Sequence, residues 1–211
     1  MRDRPGFREC LTFPLATPEA RRDLLVGGTV MFTLLIGWIL NLGHRLDVVH
    51  RLCHGDRPYH RGFAPWGRTF VRGLKAFTAI ATYLCPAALF GTSAFLLGRA
   101  GAAFTSTACW IVGALFFVWG VYSLPGGMTY NAAYDDITYL YRPDKAFRRA
   151  LAGGAAYGWA WVIACSAMSL SFLGLLGLGV GFFYTSVWAW TVVGYAFSRA
   201  LVLSDLPAGK P

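Results

Sequence analysis

Charge is what this sequence most lacks. From Ala150 to Ser198 it runs 49 residues without an Asp, Glu, Lys, Arg or His. As helix that run would be about 70 Å long at roughly 1.5 Å per residue, against a hydrocarbon core of about 30 Å. It is too long for one crossing and suits two joined by a tight turn. Only 14% of the chain is charged, while 56% is hydrophobic and 16% aromatic; soluble domains carry about 25% charge. Charge-free runs recur upstream, so the 211 residues predict one integral membrane domain with no room for a separate soluble one.

Other absences narrow the function. The five cysteines (Cys10, Cys53, Cys85, Cys109, Cys165) stand singly, with no C-x-x-C, which argues against a disulfide framework or a zinc site. No metal and no cofactor is expected. There is no P-loop, so any ATP-driven role needs a partner. The first apolar run ends in Asn41-Leu42-Gly43-His44-Arg45 without a small-residue cleavage site, so it is expected to persist as an anchor, with no cleaved signal peptide. Apart from Arg199 near the end of the last, no predicted span carries a charged residue or a histidine, which disfavours an ion-coupled carrier. The net charge of +9 would suggest nucleic acid in a soluble protein. Here the basic residues flank apolar spans, so anionic lipid headgroups are the expected partner and nucleic acid is not.

What is present organises into about five spans. Residues 1–23 hold five arginines and four acids and read as an N-terminal surface segment. Thr17-Pro18-Glu19 supplies an N-cap, a first-turn proline and an early acid. A helical bundle follows over 24–203 and a tail over 204–211. The predicted spans are Leu24–Gly43, Ala76–Leu97 with a kink at Pro86, Phe104–Leu124 ended by Pro125-Gly126-Gly127, Ala150–Leu170 and Gly181–Leu203. Two amphipathic interfacial segments are expected. In Pro58–Lys75, Phe63, Trp66, Phe70, Leu74 and Phe77 form an apolar stripe beside Arg68, Arg72 and Lys75. In Tyr130–Arg142, Tyr130, Tyr134, Ile137 and Tyr141 share a stripe suited to the interface. Five crossings put 13 Lys or Arg at the tail's side and six at the N-terminal side. The N-terminus would then be exported with its five arginines, which is awkward under the positive-inside rule.

Four groups of residues could carry chemistry or recognition. Arg68, Arg72 and Lys75, with Trp66, are placed to contact lipid headgroups. Ala152, Gly154, Ala156, Gly158 and Ala160 place small residues in register for helix–helix contact, with another span of the chain or with a second copy. His50 and His54, an i, i+4 pair, could share a metal, but read more simply as a polar helix end. Asp135 and Asp136 are the only adjacent acids; they could serve a lipid-processing enzyme, although neighbours on a helix point about 100° apart.

The order of features resembles an uncharacterised family of polytopic membrane proteins from bacteria and archaea, catalogued as domain of unknown function 4013. The likeness is carried by Leu11-Thr-Phe-Pro-Leu15 before Leu24-Leu-Val-Gly-Gly28, by Trp66-Gly-Arg-Thr-Phe-Val-Arg-Gly-Leu-Lys-Ala-Phe77, and by the segment from Tyr130 to Phe147. It implies a prokaryotic cytoplasmic membrane and brings no catalytic residue. Family loops are often acidic where this chain is basic.

The expectation is therefore an all-α polytopic integral membrane helical bundle. Its function would be that of a non-enzymatic accessory or permease-like membrane component acting through helix and lipid contacts. One alternative is the transmembrane subunit of a small-molecule or lipid transporter powered by a partner. Another is a lipid-processing enzyme using Asp135 and Asp136. Lipids, a second copy or a partner membrane subunit are the expected partners.

Overall fold

A computed structural model describes residues 4–177 and 179–203; the tail expected at 204–211 lies outside them. Every regular element among the described residues is helical. A short helix α1 (Phe7–Thr12) leads through a 3₁₀ turn into α2 (Pro18–Val30). Thr17 caps α2: its backbone is extended and its hydroxyl accepts from the Ala20 N–H at 3.1 Å, as the sequence pattern predicts.

The first apolar run departs from expectation. α2 ends in a 3₁₀ turn at Met31–Thr33, Leu34 takes φ +52°, and α3 (Leu35–Cys53) runs back alongside α2. His44 lies 3.5 Å from Asp23, and Asn41 donates to the Gly27 carbonyl at 3.1 Å. A Cβ on Gly37 would sit 2.1 Å from the Val30 carbonyl oxygen. These pairings are those of an antiparallel hairpin. Leu24–Gly43 is therefore re-entrant, entering and leaving at one end of the bundle, where a single crossing was expected. Physically, the Asn41 amide N–H finds an acceptor across the hairpin that a straight span would not supply, while Asp23 Oδ2, Asn41 Oδ1 and His44 Nδ1 stay without a hydrogen-bond partner among the described residues. Phe32, Leu34, Leu35 and Ile36 at the tip are exposed.

Two long helices, α4 (Trp66–Arg99) and α5 (Ala103–Tyr134), form an antiparallel pair turned at Gly101, which has φ +81°. The first turns of α4 absorb Trp66–Lys75, so the expected interfacial segment is continuous with the second span. The third span does not end at Pro125-Gly126-Gly127. α5 runs on to Tyr134, and a Cβ on Gly126 would lie 2.9 Å from the Ala146 carbonyl oxygen. Those small residues serve close packing, and the left-handed Asp135 (φ +52°) ends the helix. Tyr130 and Asn131 are consequently buried parts of α5, and no interfacial helix runs unbroken from Tyr130 to Arg142. α6 (Thr138–Tyr141) and α7 (Pro143–Ala152) follow.

α8 (Gly154–Ser171) and α9 (Val180–Ser198) come from the charge-free run, joined through a 3₁₀ turn at Phe172–Leu176. Ala156, Ala160, Ala164 and Ala167 of α8 are buried in one cluster with Val192, Ala196 and Phe197 of α9. Ala152, Gly154 and Gly158 are exposed, and a Cβ on either glycine would meet nothing within 4 Å. The N-terminal segment is not merely superficial. Cys10 is fully buried, and the indoles of Trp159 and Trp188 donate to the carbonyls of Pro5 and Leu11 at 3.0 and 3.1 Å.

Four helical stretches, Trp66–Arg99, Ala103–Tyr134, Gly154–Leu176 and Val180–Leu203, are long and apolar enough to cross a membrane. With four crossings and a hairpin, residues 4–17, 54–65, 135–152 and the end of α9 share one end of the bundle. Glu9 beside Arg199 (3.7 Å) and Arg72 beside Asp135 (2.7 Å) tie that end together. Every described Lys and Arg lies at or toward it, except Arg99. The thirteen-to-six split of a five-crossing chain gives way to near-complete segregation.

Candidate functional site

The charged end carries a cleft of about 480 Å³. The last turn of α3 brings His50 and Arg51 to it, the connector after α3 brings Arg57, His60 and Arg61, and the first turn of α4 brings Arg68. The connector is held in place by backbone acceptors: the Asp56 N–H donates to the Arg51 carbonyl at 2.9 Å, and the Arg51 guanidinium donates to the Pro58 carbonyl at 2.9 Å. Gly62 turns the chain at φ +55° against the Asp23 carboxylate.

Two carboxylates face this cleft, Asp47 and Asp56, and Asp47 is already engaged. It accepts from the Thr69 hydroxyl at 3.1 Å and is ion-paired with Arg72, which also reaches Asp135 at 2.7 Å. Four arginines thus face one opening with little counter-charge. Burial, opposed by the Ala132 carbonyl and assisted by the charge of Arg72, holds His50 below the usual imidazole range. A neighbouring cleft of about 350 Å³ is lined by Arg68, Lys75, Asn131 and Asp135, so Arg68 stands on the ridge between the two.

The residues singled out from sequence are dispersed. Arg68 and Lys75 are exposed at the clefts, and Trp66 is exposed with its ring stacked on Phe63 at 5.3 Å. Arg72 does not face lipid: it is buried between two aspartates, because its stripe turns inward where α3 crosses α4. The His50 ring bonds the Ala132 carbonyl and the His54 ring the His50 carbonyl, at 2.7 and 2.8 Å. Among the described residues no three His, Cys, Asp or Glu side chains gather as metal ligands. Asp135 pairs with Arg72, whereas Asp136 accepts from the Thr138 N–H and hydroxyl, both at 2.9 Å. The two carboxylates therefore serve different partners and do not converge.

Sequence reading missed the charges inside the hairpin. Asp23, His44, Arg45 and Asp47 are all buried. The available signal was a cluster of ionisable residues at both ends of one apolar run. It became meaningful only once the run folded back on itself.

Among curated proteins and among solved structures nothing matches this chain. A family model does, over residues 26–178, from the re-entrant hairpin through both long helices to the α8–α9 turn. A four-crossing bundle with a basic end thus belongs to the family described as protein of unknown function, DUF4013.

Proposed function

We propose that this protein is a non-enzymatic component of a prokaryotic cytoplasmic membrane that binds anionic lipid headgroups at its arginine-lined end, which faces the cytoplasm. The observation that carries the reading is the convergence of Arg51, Arg57, Arg61 and Arg68 on one cleft. Headgroup phosphates suit such a cluster, since guanidinium forks bind phosphate bidentately. The segregation of Lys and Arg supports the orientation through the positive-inside rule.

Native mass spectrometry of protein extracted from vesicles with equal anionic and zwitterionic lipid tests this. The native chain should retain anionic lipid selectively. Changing Arg57, Arg61 and Arg68 together to Gln should cost about 1 kcal/mol for each charge and remove the selectivity. Unchanged selectivity in that variant would refute the reading.

A transporter subunit powered by a partner is the second reading. The hairpin favours it, because it holds Asp23 and His44 buried 3.5 Å apart, and intramembrane ionisable pairs accompany transport pathways. The lipid-processing alternative draws less support, since Asp135 and Asp136 are each committed to a neighbour.

A further inference from the structure

One buried cation in the hairpin has no carboxylate partner among the described residues. Arg45 is 8% exposed. Its guanidinium donates to the Met128 sulfur at 3.1 Å and lies 5.2 Å from the centre of the Trp190 ring. A thioether and an indole face are weak partners for a group with five N–H donors, and an uncompensated buried charge is costly. The position is nonetheless built for it: Gly194 of α9 leaves room for the Arg45 stem, whose Cγ would stand 2.9 Å from a Cβ there.

Arg45 lines a chamber of about 420 Å³ whose other walls, Thr129 aside, are apolar or aromatic, among them Trp38, Leu46, Ile80, Val121, Met168 and Phe197. The volume falls within the roughly 300–1,000 Å³ of small-molecule sites. Phe117 and Cys165, both exposed, mark its mouth on the outer surface of the bundle. On another side of Arg45, toward Asn41, His44 and Thr191, the free space is about 20 Å³. That is room for about one water, which needs roughly 10–15 Å³ of such space. A bulky headgroup has no room there.

We propose that the chamber binds a long-chain carboxylate, its single acyl chain among the apolar walls and its carboxylate on the Arg45 fork. One cation calls for one compact anion, a carboxylate matches the guanidinium bidentately, and the mouth opens where acyl chains surround the bundle. This site is separate from the arginine-lined cleft and stands if that proposal fails.

Tryptophan fluorescence tests it, because Trp38, Trp161 and Trp190 line the chamber. The full chain in zwitterionic nanodiscs is titrated at alkaline pH with a brominated fatty acid and with the brominated alcohol of equal chain length. The acid should quench saturably at a concentration at least tenfold lower than the alcohol. Arg45→Met should abolish that difference, Arg45→Lys should keep part of it, and Ala164→Phe, which fills the chamber, should remove saturable quenching by both. Equal affinity of acid and alcohol for the native chain would overturn the proposal, whether or not the variants fold. So would an advantage of the acid that survives in a folded Arg45→Met, or tighter saturation by a brominated two-chain anionic phospholipid.

Discussion

At the residue scale, Arg72 shows why a stripe of basic residues cannot be read as one surface. Arg68, Arg72 and Lys75 follow helical spacing, yet Arg68 and Lys75 are exposed while Arg72 is buried between Asp47 and Asp135. About one turn of α4 separates headgroup contact from an internal ion pair. Burying such a group costs its hydration, and only good partners repay it. Arg72→Met leaves Asp47 buried and unpaired, so a loss of about 3–5 kcal/mol is expected in thermal unfolding of the detergent-solubilised protein. The double variant Arg72→Met, Asp47→Leu should recover most of that loss. A single variant as stable as the native chain would mean that water reaches Asp47. The sequence shows the charges; which of them turns inward depends on α3 lying across α4, a contact between residues 25 positions apart.

At the scale of elements, close approach decides where helices lie. α3 and α4 cross at a pair of glycines: a Cβ on Gly43 would lie 1.9 Å from the Thr69 carbonyl oxygen, and one on Gly73 would lie 1.8 Å from that of Ile39. Gly73→Ala should therefore force the helices apart and cost about 1–3 kcal/mol. Gly158→Ala, with nothing within 4 Å of the added carbon, should be neutral or gain up to about 1 kcal/mol of helix propensity. Equal melting temperatures for the two variants would contradict the crossing. The small-residue spacing of α8 announced a packing face, and the alanines at 156, 160 and 164 do bury against α9. The spacing could not tell which side of α8 meets a neighbour. The hairpin turn was harder to see, because Met31 to Leu34 contains neither glycine nor proline. Leu34 adopts a positive φ outside the left-handed helical region, at a cost of about 1–3 kcal/mol, and the pairings across α2 and α3 hold it there.

At the scale of the whole molecule, the hairpin sets topology. Replacing one crossing by a return brings the arginines of the N-terminal segment to the same end as those of residues 45–75 and 142–149, leaving Arg99 apart. Single cysteines placed in a background with the native ones changed to serine test this. At Ala16, Asp56 and Arg142, all exposed, an impermeant maleimide should label only after the membrane is opened. At Ala100, beyond α4, it should label intact cells. Labelling of Ala16 and Ala100 from the same side would restore the five-crossing topology.

Charge-free length was enough, by itself, to determine the solvent, the helical class and the approximate number of apolar segments. Hydrocarbon offers no partner to an open backbone, and that constraint acts locally along the chain. The tertiary structure alone decided that one segment doubles back, that Arg72 faces inward, that four arginines share a cleft, and that Arg45 stands beside an apolar chamber with no carboxylate partner among the described residues. Each of these depends on contacts between positions far apart in the chain, which periodicity within a single helix does not encode.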